Sequence, residues 1–170
     1  MNQFKEWGFS TAWWRGERGE YWVIGQLILF IAFILLPVSP VITREQPSLL
    51  WQYSSWGLAG FFGLVAMGLL VGGVLKLGNN LTPLPHPKDD GELVTIGVYS
   101  IVRHPIYSGV IFAAIAYSCW QWSLSHAIGA MIFLLFFDQK AKQEESWLQT
   151  KFPDYASYQS RVKKLIPWIY

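Results

Sequence analysis

Charge is what this chain has least of. Asp, Glu, Lys and Arg make up 14% of its 170 residues, where a soluble domain carries about a quarter. No charged side chain occurs from Tyr21 to Thr43, from Gln46 to Leu75, or from His104 to Phe137. Such segregation excludes a surface wetted on all sides. Cysteine is almost absent too. The single Cys119 excludes an internal disulfide and reads as a free buried thiol. The three histidines, His86, His104 and His126, lack the spacing of a metal-ligand set. No Ser–His–Asp nucleophile motif is present. The net charge of +2 is too small to point to a nucleic-acid partner. There is no internal repeat and no low-complexity tract. The first apolar run is followed by Pro37 and Pro40 with no small-residue cleavage site, so it reads as a retained helix.

What is present is apolar mass: 52% hydrophobic residues and 17% aromatic. A membrane helix needs roughly 20 apolar residues. The first two charge-free runs each predict one helix, over 21–38 and 48–76. The third run is too long for one helix and has a polar, aromatic centre, Trp120 to His126. It predicts a hairpin of two short arms starting at Pro105, with Trp120 and Trp122 at the far interface. The second arm continues as a polar helix to about Thr150, is broken by Phe152-Pro153-Asp154, and is followed by an amphipathic stretch, Tyr155 to Lys164. Residues 1–20, with Trp7, Trp13 and Trp14, read as an interfacial segment. The expected fold is therefore all-α and polytopic, with about four transmembrane segments, the short C-terminal hairpin among them, plus cytoplasmic amphipathic helices. Residues 1–75 would carry the interfacial segment and two spanning helices. Residues 76–170 would carry a functional loop, the hairpin and the amphipathic tail. Gly68 and Gly72 have the spacing that lets membrane helices approach closely.

Basic residues set the orientation. Lys5, Arg15 and Arg18 precede the first helix; the first loop has only Arg44; the second loop has Lys76, Lys88 and Arg103; the hairpin tip has none. The tail has Lys140, Lys142, Lys151, Arg161, Lys163 and Lys164. This alternation puts both termini and the second loop in the cytoplasm, and lays the basic tail against anionic lipid headgroups. The loop over 77–98, with Pro83, Pro85 and Pro87, is long enough to be functional rather than a mere connector.

Two constellations can carry chemistry. Pro105 suits the first turn of a helix, whose free N–H groups would face the loop and attract anions. Arg103 adds a fixed positive charge there and His104 a switchable donor. The same pair reads equally as a basic anchor with an interfacial histidine. Glu144 and Glu145 point about 100° apart on a helix, so one can face the bundle. A solvated helix, with Lys140 four residues before Glu144, is the plainer reading. An inward carboxylate would bind an ammonium or a ribose hydroxyl.

Leu77-Gly78, Leu81-Thr82-Pro83, Leu93-Val94, Gly97, Tyr99, Val102-Arg103-His104-Pro105, Tyr107 and Gly109 resemble the isoprenylcysteine carboxyl methyltransferase family and its bacterial relatives. So does Glu144-Glu145 followed by Phe152, Tyr155, Tyr158, Val162 and Leu165-Ile166-Pro167. The resemblance covers about residues 76–167. It implies an S-adenosylmethionine site at the cytoplasmic face, and a lipidic or lipid-anchored acceptor. Leu93, Val94 and Tyr99 would line the adenosine side. Arg103, His104, Pro105 and Tyr107 would meet the cofactor's polar groups, and Glu144 and Glu145 its ribose or amino group. Relatives often have arginine where this chain has Lys164, which offers a point charge for a substrate carboxylate in place of a bidentate fork. Arg103, His104 and Lys164 are thus the candidate catalytic residues. A carboxylate acceptor needs no general base, whereas an amine would need His104 or a glutamate as one. The alternatives are a phospholipid N-methyltransferase-like enzyme, an NAD(P)H-dependent membrane reductase of similar architecture, and a non-enzymatic packing protein.

Overall fold

The structure, a computed structural model, describes residues 15–40 and 48–170. The interfacial tryptophans Trp7, Trp13 and Trp14, and Arg44 of the first loop, lie outside the described residues. Among the described residues five helices follow in order: α1 (Glu20–Leu35), α2 (Leu49–Leu77), α3 (Pro105–Gln121), α4 (Leu124–Lys151) and α5 (Tyr155–Arg161). Short 3₁₀ turns occupy Gly78–Asn80 and Gly97–Ser100. Two isolated bridges, Pro40 with Ser123 and Val102 with Lys163, are the β pairings among the described residues.

Helix boundaries fall where charge and proline put them. Pro105 takes the first turn of α3, where its missing N–H costs nothing. The hairpin turns within two residues: Trp122 takes a left-handed conformation, φ 52°, and the Ser123 hydroxyl accepts the His126 N–H to start α4. α4 has an apolar arm to Phe137 and a polar extension from Asp138. The α3 arm, 17 residues at ~1.5 Å each, is shorter than the ~30 Å hydrocarbon core. Among the described residues, Leu49–Asn80 is the one helix long and apolar enough to cross a membrane, and α1 is a shorter apolar helix.

α2 packs chiefly on α3, and α3 on α4. Glycine permits close packing around α2, but only one of the expected pair, Gly72, takes part, against Val98 of the Gly97–Ser100 turn. A Cβ on Gly68 would meet nothing, whereas one on Gly72 would sit 2.7 Å from Val98, on Gly73 2.8 Å from Ile106, and on Gly109 2.5 Å from Leu70. The close approach is therefore Gly72–Gly73 and Gly109. Under it lies a core of Ile111, Ala114, Ala130, Phe133, Phe137 and Leu165. Outward, Leu27, Ile28, Ile31, Leu50, Phe61, Leu64, Leu75, Met131 and Leu135 are all more than half exposed. A belt of this size is far beyond what water-facing surfaces tolerate and is what a bilayer would cover.

Candidate functional site

The polar end of the bundle encloses a cavity of about 440 Å³, within the ~300–1,000 Å³ range of small-molecule and cofactor sites. Its walls come from the end of α2, the 78–96 loop, the start of α3, and α4–α5. Leu93, Val94, Tyr99, Arg103, His104, Pro105, Tyr107 and Glu144 line it. Glu145 and Lys164 are not among the lining residues.

Glu145 stands directly behind that wall. One of its oxygens accepts both Arg103 Nε–H at 2.7 Å and His104 Nε2 at 3.1 Å, and the other accepts Gln159 Nε2–H at 3.1 Å. Burial alone would raise this carboxyl's pKa, but the hydrogen bonds and charges of His104 and Arg103 outweigh it and hold it at about 2. A carboxylate can only accept. His104 therefore carries its proton on Nε2. Its Nδ1, 3.8 Å from Glu144, is left toward the cavity side. Arg103 is committed further, with Nη1–H donated to the carbonyls of Gln159 and Val162.

Glu144 accepts the Tyr107 hydroxyl at 2.6 Å. The Tyr107 ring lies parallel to His104, with centroids 5.4 Å apart, and stacks on Phe137. So the 100° between neighbouring glutamates is used: Glu145 organises Arg103 and His104, and Glu144 presents an acceptor to the cavity.

Two further groups face this cavity to which the sequence reading assigns no role at the site. Lys140 is 1% exposed, lines the cavity, donates to Gln26 Oε1 at 2.7 Å and sits 5.0 Å from the Tyr107 ring centroid. Burial lowers its pKa to about 8, partly offset by Glu144. Its position one turn before Glu144 was the available signal, but that spacing also describes a solvated ion pair. Tyr155 lines the cavity, is 1% exposed, and its hydroxyl has no hydrogen-bond partner. A buried unpaired hydroxyl costs stability, so this one is consistent with a ligand acceptor.

Lys164 is elsewhere. Its ammonium bonds Asp138 at 2.5 Å and the Tyr170 hydroxyl at 3.2 Å. His126, the other buried histidine, bonds Ser123 at 2.7 Å at the opposite end of α4. Among the described residues no group of His, Cys, Asp and Glu is arranged to hold a metal ion.

Residues 59–150 match the sequence model of the isoprenylcysteine carboxyl methyltransferase (ICMT) family. Protein-S-isoprenylcysteine O-methyltransferase B of Arabidopsis thaliana is 29% identical over 128 residues, 70% of this chain and 61% of that protein. The cobalt-zinc-cadmium resistance protein CzcN of Cupriavidus metallidurans is 28% identical over 130 residues, 75% of this chain and 60% of that one. This chain thus spans about 60% of the length of those curated relatives. A solved structure of the eukaryotic intramembrane Ras methyltransferase ICMT shares the fold with TM-score 0.65 and 24% identity, over 90% of this chain and 54% of that one.

Proposed function

We propose, because this chain belongs to the isoprenylcysteine carboxyl methyltransferase family, that it is an integral membrane methyltransferase using S-adenosylmethionine to O-methylate the carboxylate of a prenylcysteine-like lipidic acceptor. The observation that carries the acceptor class is Lys140, a buried ammonium facing the cavity. A carboxylate would be paired by it, whereas an amine would bind only in its neutral form, with no ion pair to hold it. Lys140 takes the role that the sequence assigns to Lys164, which the Asp138 pairing occupies.

The residues present fit the methyl donor. For it the cavity offers a cation in Arg103, an acceptor in Glu144, an aromatic and aliphatic wall, and the unpaired Tyr155 hydroxyl. Arg103 and Tyr155 would hold its carboxylate and hydroxyl groups, Glu144 its ammonium or ribose, and Leu93, Val94 and Tyr99 its adenine side. When bound, the sulfonium supplies a methyl group for in-line displacement. The protein's contribution is then position and the exclusion of water. Glu145 fixes Arg103 and His104, Pro105 starts the helix that carries them, and Lys140 aligns the acceptor oxygen. No proton need move for a carboxylate nucleophile, so His104 is not asked to act as a base; its Nε2–H is held by Glu145.

Both termini and the cavity are proposed to face the cytoplasm, with α1, α2 and the α3–α4 hairpin in the bilayer. The test is transfer of labelled methyl from S-adenosylmethionine to a farnesylcysteine-type acid in extracted membranes. A base-labile methyl ester is expected, and Lys140→Met should raise the acceptor KM while sparing cofactor affinity. Label on an amine, or equal turnover of a water-soluble acid, would overturn the acceptor assignment.

A further inference from the structure

The Arg103–His104 main chain is held from outside the cavity, by a segment that follows α5. Arg103 N–H donates to the Lys163 carbonyl at 2.8 Å and His104 N–H to the Lys164 carbonyl at 3.1 Å. Val102 pairs with Lys163 in parallel, and Arg103 Nη1–H meets the Val162 carbonyl. The stretch 162–165, in which Val162, Lys163 and Lys164 make these contacts, therefore acts as a splint along the motif that faces the cavity. Nothing in a lone extended stretch fixes its own position, so the splint needs an anchor.

Asp138 supplies one. Its Oδ1 accepts Lys164 Nζ–H at 2.5 Å and the Tyr170 hydroxyl at 2.7 Å, and its Oδ2 takes Lys142 at 2.8 Å. Lys164 also lies 4.9 Å from the Tyr170 ring centroid. The closing turn is tied in turn: Leu165 N–H and Ile166 N–H both donate to the Tyr170 main-chain oxygen, at 2.8 and 2.7 Å. Asp138 and Lys164 are both buried, and Leu165 beside them is fully enclosed in the core. A buried ion pair of this kind earns little net stability; its established use is to choose one arrangement among several. Here the arrangement chosen is the register of residues 162–165 on 102–104.

We propose that Asp138, with Lys164 and Tyr170, forms a clasp that positions Arg103 and His104 through the 162–165 splint, making Asp138 and Lys164 positioning residues for the cofactor site and not substrate contacts. The consequence for binding rests on the methyltransferase reading above; the mechanical link does not.

The experiment uses the full chain in detergent. Hydrogen exchange by mass spectrometry follows the peptides covering 100–106 and 162–166, and calorimetry follows S-adenosylmethionine affinity, for Asp138→Asn, Lys164→Met, Lys164→Arg and Tyr170→Phe. In Asp138→Asn and Lys164→Met, both peptides should exchange faster while the α2–α3 contact stays protected. Cofactor affinity should fall about tenfold, the effect of losing one aligned charged contact. Lys164→Arg, which keeps the pair, should restore both readouts. Tyr170→Phe, the mildest change, should speed exchange in the same two peptides even if the others fail to fold. Unchanged exchange at 100–106 would overturn the clasp. Faster exchange with unchanged cofactor affinity would overturn its positioning role. If the wild-type chain binds no S-adenosylmethionine, the functional reading fails, and the exchange data alone still decide the clasp.

Discussion

At the scale of the residue, the site is governed by where charge is buried. Glu145 has a folded pKa of about 2, below the ~4.3 of an unfolded glutamate. Its pairing with Arg103 and His104 therefore stabilises the fold above pH ~4.3 and is lost as pH falls toward 2. Glu145→Gln should lower the melting temperature at pH 7, and the gap from wild type should shrink to roughly half by pH 3 and close only near pH 2; a gap independent of pH would contradict the pairing. Lys140 runs the other way. With a folded value of about 8 against ~10.4 unfolded, its ammonium is present below pH 8 and lost above it. Its burial costs stability at neutral pH, and the cost fades from pH 8 to ~10.4. Acceptor KM should rise by up to about tenfold per pH unit above 8, following the fraction charged. Lys140→Arg, which does not deprotonate, should flatten that rise. These pairings were the least legible part of the sequence. Lys140 meets Gln26, 114 positions away, and Lys164 meets Asp138 across 26. No local period announces such partners, so Lys140 read as a solvated helix charge and Lys164 as a substrate cation.

At the scale of the element, much was legible because the causes are local. Charge-free runs, Pro105, and the Phe152-Pro153-Asp154 break set helix limits within a few residues of α1 to α5. The Arg103–His104 and Glu144–Glu145 clusters could be placed in one site only through the family resemblance, since 40 or more positions separate them. Helix contact was half placed: Gly72 makes a close approach and Gly68 does not. The Gly68–Gly72 spacing marks a surface of approach, but which glycine touches depends on where α3 crosses α2, a tertiary fact. The difference is measurable. Gly109→Ala should cost about 1–3 kcal/mol through its clash with Leu70 and the Ala66 carbonyl. Gly68→Ala should be neutral, or stabilise by up to about 1 kcal/mol through helix propensity. Thermal or denaturant melts of the two variants in detergent decide it; equal costs would contradict the packing described.

At the scale of the whole molecule, one end is polar, carries charges of both signs and lines the cavity, and the rest is an apolar belt. Arg18 pairs with Asp89, and Lys151 donates to the carbonyls of Lys88 and Asp89, so the loop over the cavity is tied to the polar helices. Reporter fusions at residues 44 and 170 should report outside and cytoplasm respectively, as the basic-residue alternation requires; a C-terminus outside would remove the cavity from the cytoplasmic cofactor pool. The central claim is that this cavity takes S-adenosylmethionine. Calorimetric titration of the purified full chain tests it most directly, with NADPH as the competitor. Saturable binding of S-adenosylmethionine and none of NADPH is predicted. Glu144→Ala, which removes a charged acceptor worth about 1.5–3 kcal/mol, should weaken binding about 10- to 150-fold. Binding of NADPH instead, or S-adenosylmethionine affinity unchanged in both Glu144→Ala and Glu145→Ala, would contradict it.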